Sequence, residues 1–369
     1  MAKTKIKPNL SAPERAQSVL EKGARARWWR RRGSKEKGFW YEDAKGVRIT
    51  DEKQLERIRA LALPPAWTSV RIAPSPRSRL QALGIDTSGR VQYRYHPDFQ
   101  AAQQRQKYAK LERFGELLPT LRQMTNRHMA LEGLPRERVL AIVIRLINDL
   151  YFRLGSEESV RRYRTFGVTT LRNRHLEITP KGHLLFRFVG KHHIQHRRVI
   201  VDADLADLMR QIKALPGARL FQYIDENGNA RPITPHDVNN YIKAATGPEF
   251  SAKDFRTWGG TLRAALALAE MGKPENERQA KRNIVQAVKR VAERLGNTPT
   301  VCRSCYIHPV VLERYQEGVT LEDFRRKAER YIRRYQPDYE PEELALLKLF
   351  QAPATAEAPL TAKQTATAA

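Results

Sequence analysis

The spacing of apolar residues changes near residue 97, and this change constrains the fold more than any other feature of the chain. From Gly38 to about Arg94, short alternating segments are separated by turn residues, as at 86–89, which is typical of strands and hairpins. Beyond residue 97, apolar residues recur every three or four positions, as in 99–118 and 136–153, which predicts helices. We therefore expect an α+β protein in which a small β-rich domain precedes a larger, mostly helical one.

The domain boundaries follow from the same pattern. We expect a basic, flexible extension, a β-rich N-terminal domain, a mostly helical domain and a disordered tail, at residues 1–37, 38–98, 99–350 and 351–369. Pro119 separates two predicted helices, 99–118 and 119–131, because proline disfavours the helical conformation of the residue before it. Within the helical domain, three strand-like segments predict a three-stranded meander, at 174–178, 184–189 and 197–201.

The charge balance predicts a polyanionic partner. Lysine and arginine number 67 against 40 acidic residues, which gives a formal net charge of +27. Nucleic acid is the favoured partner, because neutralising phosphates releases condensed counterions. An anionic membrane surface is the alternative, but no strongly amphipathic helix with an exposed aromatic face is evident. The most apolar stretch, 139–147, is too short to span a membrane, so we expect a cytoplasmic protein, associated with the nucleoid if the source is bacterial.

Six separated segments carry a family resemblance. They are 63–67 (LPPAW), 92–95 (QYRY), 152–155 (FRLG), 188–191 (FVGK), 253–256 (KDFR) and 295–306, which runs from Leu-Gly-Asn to Cys-Tyr. In this order they resemble the type IB DNA topoisomerases, specifically the compact poxvirus and bacterial kind. The resemblance extends from about residue 38 to residue 320, and its specificity lies in the order of the segments rather than in any one of them.

The resemblance implies five catalytic residues. Tyr306 would be the nucleophile that becomes joined to the 3′ phosphate of a cut strand. Arg153 and Arg256 would hold the scissile phosphate, and Lys191 would protonate the 5′ leaving oxygen. Asn297 stands where many relatives have histidine, and its amide can donate a hydrogen bond without titrating. The family relaxes supercoiled duplex DNA as a single chain that clamps the duplex, without ATP, metal or any other cofactor, and we expect the same here.

One segment of the β-rich domain is a candidate DNA contact. Tyr93 and Tyr95 alternate with Gln92 and Arg94, so the tyrosines share one face of a predicted strand. Spacing alone favours a buried aromatic pair behind a polar face. The resemblance implies instead that this strand lies in the major groove, with Gln92 and the tyrosines touching the DNA and Arg90 and Arg94 beside them.

Two other functions are compatible with parts of the pattern. A tyrosine recombinase has the same chemistry and the same nine-residue step to the tyrosine, but recombinases usually have histidine at the positions of Lys253 and Asn297 and an all-helical N-terminal domain. A non-catalytic, architectural DNA-binding protein would explain the charge. It would not need the complete set of five catalytic residues.

Two clusters suggest metal binding and are interpreted otherwise. Cys302 and Cys305 have the spacing of a zinc half-site or a redox pair, but no second cysteine pair completes a structural zinc site. His192, His193 and His196 lie beside Lys191. We interpret them as part of a basic turn that faces phosphate, and we expect no metal site in the chain.

Overall fold

The computed structural model describes residues 27–335 and 338–352, together with Ser18 and Glu21. The chain divides into two compact units, Met1–Lys107 and Tyr108–Ala369, whereas the sequence pattern placed this boundary at residue 98. The predicted disordered tail lies outside the described residues except for residues 351 and 352. Most of the predicted basic extension lies outside them as well.

The first unit is built on one antiparallel sheet of five strands in the order β2-β1-β3-β4-β5. The strands are β1 (Trp29–Ser34), β2 (Gly38–Glu42), β3 (Thr68–Ile72), β4 (Leu80–Ile85) and β5 (Val91–Tyr95). Helix α1 (Glu52–Ala60) begins where the Asp51 carboxylate accepts the Gln54 N–H at 3.0 Å, which is a helix N-cap. Its Ile58 packs with Val70 and Ile72 in the small core of the unit.

Strand β1 corrects the prediction that residues 1–37 form a flexible extension. Residues 30–34 pair in register with β2, and Trp29 and Arg30 pair with β3. The high density of arginines led to the wrong prediction, because one of them is bonded to the backbone of a neighbouring segment instead of being solvated. The Arg31 guanidinium donates to the carbonyls of Pro64 at 3.1 Å and Trp67 at 2.5 Å, and Arg57 lies 5.1 Å from the Trp29 ring centroid.

Helices dominate the rest of the described chain. They are α2 (Pro97–Met129), α3 (Arg136–Leu150), α4 (Glu157–Tyr163), α5 (Ala203–Lys213), α6 (Pro235–Thr246), α7 (Ala252–Glu270), α8 (Glu277–Leu295), α9 (Pro299–Cys305), α10 (Pro309–Gln316), α11 (Glu322–Tyr335) and α12 (Pro341–Gln351). Helix α3 is the centre of the core, because every residue from Val139 to Ile144 is buried. Among the described helices, none combines the length and the low polarity needed to cross a membrane.

Helix α2 contradicts the predicted break at Pro119. It continues through this proline as one helix of 33 residues. Proline inside a helix removes a backbone hydrogen bond, but Phe114, Leu118 and Leu121 are all buried in the same core. Packing on both sides of the proline therefore stabilises a single helix, which local preference alone did not predict.

The predicted meander is confirmed as the sheet β6 (Leu176–Ile178), β7 (His183–Val189) and β8 (Gln195–Val201). Strands β7 and β8 pair over seven positions, from His183 opposite Val201 to Val189 opposite Gln195. A second, two-stranded sheet, β9 (Gln222–Ile224) with β10 (Ala230–Pro232), was not predicted. These observations confirm the α+β fold class.

Candidate active site

Tyr306 lies directly after helix α9, a short helix with a defined start. Thr298 caps the helix and Pro299 occupies its first turn, where proline costs no hydrogen bond. The Tyr306 N–H closes the helix by donating to the Cys302 carbonyl at 2.9 Å. The Tyr306 ring is half-buried and packs on the core of the second unit, so only part of the side chain can reach a ligand.

Arg256 is the most buried charge near this tyrosine. Its side chain is 4% exposed, and its Cζ lies 5.1 Å from the Tyr306 ring centroid. The guanidinium donates to two carbonyls at the ends of helices, Tyr151 at 2.5 Å and Leu295 at 2.8 Å. Burial, with the neighbouring Arg153 charge acting the same way, lowers the pKa of Arg256 to about 10. It remains charged at neutral pH.

Arg153 and Asn297 form a direct pair in the same site. The Arg153 Nη2 donates to the Asn297 Oδ1 at 2.5 Å, which leaves the amide nitrogen of Asn297 facing elsewhere. Burial lowers the pKa of Arg153, while the nearby phenol of Tyr306 opposes the shift. The structure therefore brings four of the predicted residues together: Arg153, Arg256, Asn297 and Tyr306.

The site carries positive charge without a counterion. In the described chain, neither Arg153 nor Arg256 has a carboxylate partner among the ion pairs. Cys302 is fully buried beside them, and burial raises its pKa to about 11, so it contributes a neutral thiol. Within the described residues, Arg256 Nε is a buried donor without an acceptor, and the Asn297 amide nitrogen has only the Cys302 thiol, a weak acceptor, beside it. Two neighbouring guanidiniums without a carboxylate partner are suited to a tetrahedral oxyanion such as phosphate.

Gly296 places Asn297 where it can meet Arg153. It ends helix α8 in the left-handed region with φ 61°, which favours glycine. A Cβ at this position would also meet the His196 ring at 3.0 Å. The sequence Leu-Gly-Asn is therefore a helix terminus, and its glycine is required by both backbone angle and space.

Helix α7 contacts the backbone of Tyr306, the predicted nucleophile. A Cβ on Gly260 would come within 2.5 Å of the Tyr306 carbonyl oxygen, so glycine permits this close approach. The fully buried Thr261 hydroxyl lies 3.3 Å from the same carbonyl and accepts the His308 N–H at 3.0 Å. Helix α7 thus supplies Arg256 and also fixes the segment on which Tyr306 sits.

Tyr108 on helix α2 is a site residue that the sequence pattern did not reveal. Its hydroxyl donates to the Ile307 carbonyl at 3.0 Å and lies 3.3 Å from the Ser304 carbonyl. Ile307 directly follows Tyr306, and Ser304 lies two residues before it. Its ring packs on His308, with centroids 4.6 Å apart. Burial raises the pKa of Tyr108 to about 12, so its hydroxyl remains a donor at all ordinary pH values.

Lys191 lies apart from the other four predicted residues. It is exposed at the turn between β7 and β8, as predicted, and it makes no hydrogen bond to them in the described structure. The base of this hairpin reaches the site, because His196 and Ile194 contact the position of Gly296. The hairpin that carries Lys191 therefore packs through its Ile194 and His196 side chains against Gly296, the residue before Asn297.

The histidines near Lys191 do not converge. His192 and His193 are exposed with positive φ values of 63° and 57°, whereas His196 is buried and stacks on Phe188 at 4.8 Å. Burial, followed by the charges of Arg198, Arg153 and Arg256, lowers the pKa of His196 to about 4. Across the described residues, no group of three or more His, Cys, Asp or Glu side chains has the arrangement of a metal site.

The two cysteines differ in environment. Cys302 is buried and Cys305 is exposed, and both are free thiols. They lie on one turn of helix α9, directly before Tyr306. Cys302 packs in the core, whereas Cys305 is exposed at the end of the helix.

In the first unit, strand β5 presents its tyrosines outward. Tyr93 and Tyr95 are 40% and 39% exposed and stack with centroids 6.0 Å apart. Gln92 donates to the Asp86 carboxylate at 2.9 Å, and Arg94 lies 5.5 Å from the Trp67 ring centroid. The alternative of a buried aromatic pair behind a polar face is therefore wrong. The aromatic face is the accessible one.

Arg90 is held at the start of the same strand. Its Nε lies 3.1 Å from the Asp86 carboxylate, and its side chain is more than half exposed. Asp86 thus fixes both Arg90 and Gln92. One acidic residue of the β4–β5 turn, Asp86, therefore orients two polar side chains next to the exposed tyrosines.

Two family models match the chain over separate ranges. Residues 96–334 match the model described as eukaryotic DNA topoisomerase I, catalytic core. Residues 38–86 match the model described as bacterial DNA topoisomerase IB, N-terminal domain. The first range includes all five predicted catalytic positions.

Individual relatives agree with these matches. DNA topoisomerase 1B of Acanthamoeba polyphaga mimivirus is 34% identical over 273 residues, covering 72% of this chain and 81% of the viral protein. DNA topoisomerase 1B of vaccinia virus (strain Copenhagen) is 22% identical over 248 residues, covering 64% and 72%. DNA topoisomerase 1 of Mycosarcoma maydis is 23% identical over 243 residues, covering 60% of this chain and 24% of the fungal protein.

Proposed function

Because the chain belongs to the type IB DNA topoisomerase family, we propose that it relaxes supercoiled DNA by cutting and resealing one strand. The intermediate is a 3′-phosphotyrosyl link to Tyr306. One observation carries this proposal: the half-buried Tyr306 phenol adjoins two guanidiniums, Arg153 and Arg256, that have no carboxylate partner in the described chain.

The chemistry uses the site in a balanced exchange of two phosphorus–oxygen bonds. The Tyr306 oxygen attacks the scissile phosphorus and loses its proton, and the bond from phosphorus to the 5′ oxygen breaks. Negative charge develops on the non-bridging oxygens, where Arg153 and Arg256 supply fixed positive charge and hydrogen bonds. The Asn297 Nδ2, which has no oxygen acceptor in the described structure, supplies a further neutral donor.

The leaving 5′ oxygen takes a proton from Lys191. The exposed position of this lysine on the β7–β8 turn suits a residue that meets the substrate rather than the core. Religation is the same exchange in reverse, after the free strand has rotated. The phosphotyrosyl bond conserves the energy of the broken phosphodiester, so the cycle consumes no ATP, and the arginines and lysine supply the positive charge for a reaction without a metal.

The first unit provides a second contact with duplex DNA. We propose that the exposed tyrosine face of β5 binds in a groove, with Tyr93 and Tyr95 contacting the DNA and Arg90 and Arg94 near its phosphates. The net charge of +27 implies a large release of counterions on binding. The affinity for DNA should therefore fall steeply with salt concentration, and a shallow dependence would contradict extended contact with the backbone.

The deciding experiment is relaxation of supercoiled plasmid in EDTA without ATP, by the wild-type protein and Tyr306→Phe side by side. Relaxation by the wild type alone supports the proposal. Relaxation by both variants would exclude Tyr306 as the nucleophile. If both bind the plasmid and neither relaxes it, a recombinase that requires two matching sites becomes the better explanation, followed by an architectural protein.

A second experiment isolates the role of Lys191. Lys191→Ala should cleave a normal strand much more slowly than the wild type. Cleavage should recover on DNA whose 5′ leaving oxygen is replaced by sulfur, because a thiolate leaves without a proton. Lys181→Ala is a matched control, since Lys181 is an exposed lysine on the preceding turn of the same sheet. Failure of the sulfur substrate to restore cleavage would remove Lys191 from the acid role.

A further inference from the structure

An arginine-rich cavity lies outside the proposed active site. It occupies about 750 Å³ between helix α4, the segment 164–175 and the adjoining parts of β7 and β8. Its charged lining consists of Glu157, Arg161, Arg164, Arg172, Arg174 and Arg187. A cavity of this volume lies within the range that holds small organic ligands in other proteins, about 300–1,000 Å³.

The positive charge of this cavity is largely uncompensated. In the described part of the chain, the side chains of Arg161, Arg164 and Arg174 have neither a carboxylate partner nor a hydrogen-bond acceptor. All three are exposed. Arg172 lies 5.9 Å from the Phe166 ring centroid and is likewise without an acidic partner. Four guanidiniums are therefore available to an anion.

The acidic residues nearby do not cancel this charge. Glu157, the one acid of the lining, forms an ion pair with Arg219. Arg187 pairs with Glu177 at 3.3 Å. The ligand that complements the remaining arginines is a group with several negative oxygens, and phosphate fits the planar, multidentate guanidinium best.

The rest of the lining is aromatic and apolar. Phe166, His175 and Phe188 line the cavity, and the His175 ring packs on Phe166 with centroids 4.4 Å apart. The His175 Nδ1 accepts the Arg172 N–H at 3.0 Å. Burial, with Arg174 and Arg172 acting the same way, lowers the pKa of His175 to about 4, so its ring is neutral. His175 and Phe188 are buried behind Phe166, which is half-buried. The Phe166 ring is therefore the aromatic surface that a nucleobase would meet next to its phosphates.

The cavity shares its scaffold with two predicted catalytic residues. The Phe166 N–H donates to the Val189 carbonyl at 2.8 Å, two residues before Lys191. The Val168 N–H donates to the Arg153 carbonyl at 2.8 Å. We propose that this cavity is a nucleotide-binding site, separate from the scissile-phosphate site, in which the free arginines hold phosphate groups and the Phe166 ring faces the base.

The nucleotide can come from two sources with the same chemistry. It is either a free nucleoside triphosphate or a nucleotide unit of the DNA strand, and only the second form rests on the proposed function. The probes are ATP, adenosine and inorganic triphosphate, titrated calorimetrically into the full-length protein in EDTA at about 0.15 M salt. ATP should bind saturably to one site, and adenosine should bind at least tenfold more weakly.

Charge-matched variants separate this site from general attraction to a basic protein. The pocket pairs are Arg164→Gln with Arg174→Gln, and Arg161→Gln with Arg174→Gln. The control pair, Arg278→Gln with Arg282→Gln, removes the same charge from exposed positions on helix α8. A lost charge-assisted hydrogen bond corresponds to roughly a tenfold change or more, so each pocket pair should raise the Kd for ATP at least tenfold and the control less than twofold.

The outcomes decide both the site and the source. Equal weakening by pocket and control pairs, wild-type affinity in either pocket pair with an unchanged melting temperature, or the absence of saturable binding would each overturn the proposal. If a short duplex displaces ATP and the pocket pairs also weaken duplex binding, the nucleotide belongs to DNA. If ATP binds the protein–DNA complex with unchanged Kd, the ligand is free nucleotide. Repeating the titration in Tyr306→Phe keeps this result independent of cleavage.

Discussion

Replacing Tyr108 with phenylalanine would remove the hydroxyl that contacts the backbone on both sides of Tyr306, the proposed nucleophile. That hydroxyl bridges the carbonyls of Ile307 and Ser304, at 3.0 and 3.3 Å, on either side of Tyr306. The Ile307 side chain is fully buried, so its carbonyl would be left without a donor in an apolar setting. An orphaned buried polar group costs about 1–3 kcal/mol.

This cost should appear in the rate of strand cleavage. If the contacts of the Tyr108 hydroxyl hold Tyr306 in position, removing them costs about 1–3 kcal/mol of transition-state stabilisation. The rate of strand cleavage then falls roughly fivefold to hundredfold. Affinity for DNA should change little, because Tyr108 is not on the surface. Burial raises the pKa of Tyr108 to about 12, so its hydroxyl stays protonated between about pH 6 and pH 9. The ratio of the cleavage rates of the wild type and Tyr108→Phe should therefore stay constant over this range.

The assay is single-turnover cleavage of a short duplex from which the cut fragment dissociates, so that religation does not obscure the rate. Tyr241→Phe is the matched control, because its buried hydroxyl pairs with His128 Nδ1 at 2.8 Å, away from the Tyr306 segment. Both variants lose one buried hydroxyl. If Tyr108→Phe cleaves at the wild-type rate, or if both variants lose the same fraction of the cleavage rate, the Tyr108 hydroxyl stabilises the fold without positioning Tyr306.

Three further changes have defined outcomes. Asn297→Leu keeps the side-chain size but removes a donor from the phosphate site, so cleavage should slow by about 10²-fold with little change in DNA affinity in a filter-binding assay. Burial lowers the pKa of His196 from about 6.5 to about 4, so the folded state disfavours the protonated ring. The corresponding stability of about 3 kcal/mol is complete above pH 6.5 and is lost as the pH falls towards 4. His196→Gln should therefore flatten this part of the melting-temperature profile. Deleting residues 1–35 removes the strand between β2 and β3 and should lower the melting temperature by several degrees or more.

The positions of candidate site residues could be predicted where the residues lie close together in the sequence and their spacing is set by local structure. Leu-Gly-Asn ends helix α8 with a left-handed glycine, and the next helix carries Tyr306 after a fixed number of residues, so the spacing reflects two helix termini. Tyr108 was not predictable, because its partners Ser304 and Ile307 lie 196 and 199 residues away. In the sequence it is one more apolar position of helix α2, and only the packing shows that its hydroxyl contacts the backbone beside Tyr306.

Strand β1 was missed for a different reason. The run of arginines from residue 30 to residue 32 resembles a solvated basic segment, since composition alone does not reveal pairing partners. The hydrogen bonds of Arg31 to carbonyls of the 64–67 segment show that such a charge can satisfy the backbone of a neighbouring turn. Tertiary pairing with β2 and β3 thus determined a structure that the local charge pattern obscured.

The active site retains a charge that folding alone would disfavour. Arg256 is 4% exposed and adjoins a second guanidinium, and a buried charge without a counterion destabilises a folded protein. Its two carbonyl acceptors at the ends of α3 and α8 offset only part of this cost, because they carry partial charges. A phosphate between Arg153 and Arg256 would supply the missing counterion. On the proposed mechanism, the anionic transition state would relieve this electrostatic cost. Replacing either arginine by a neutral residue should therefore lose more transition-state stabilisation than it gains in stability of the fold.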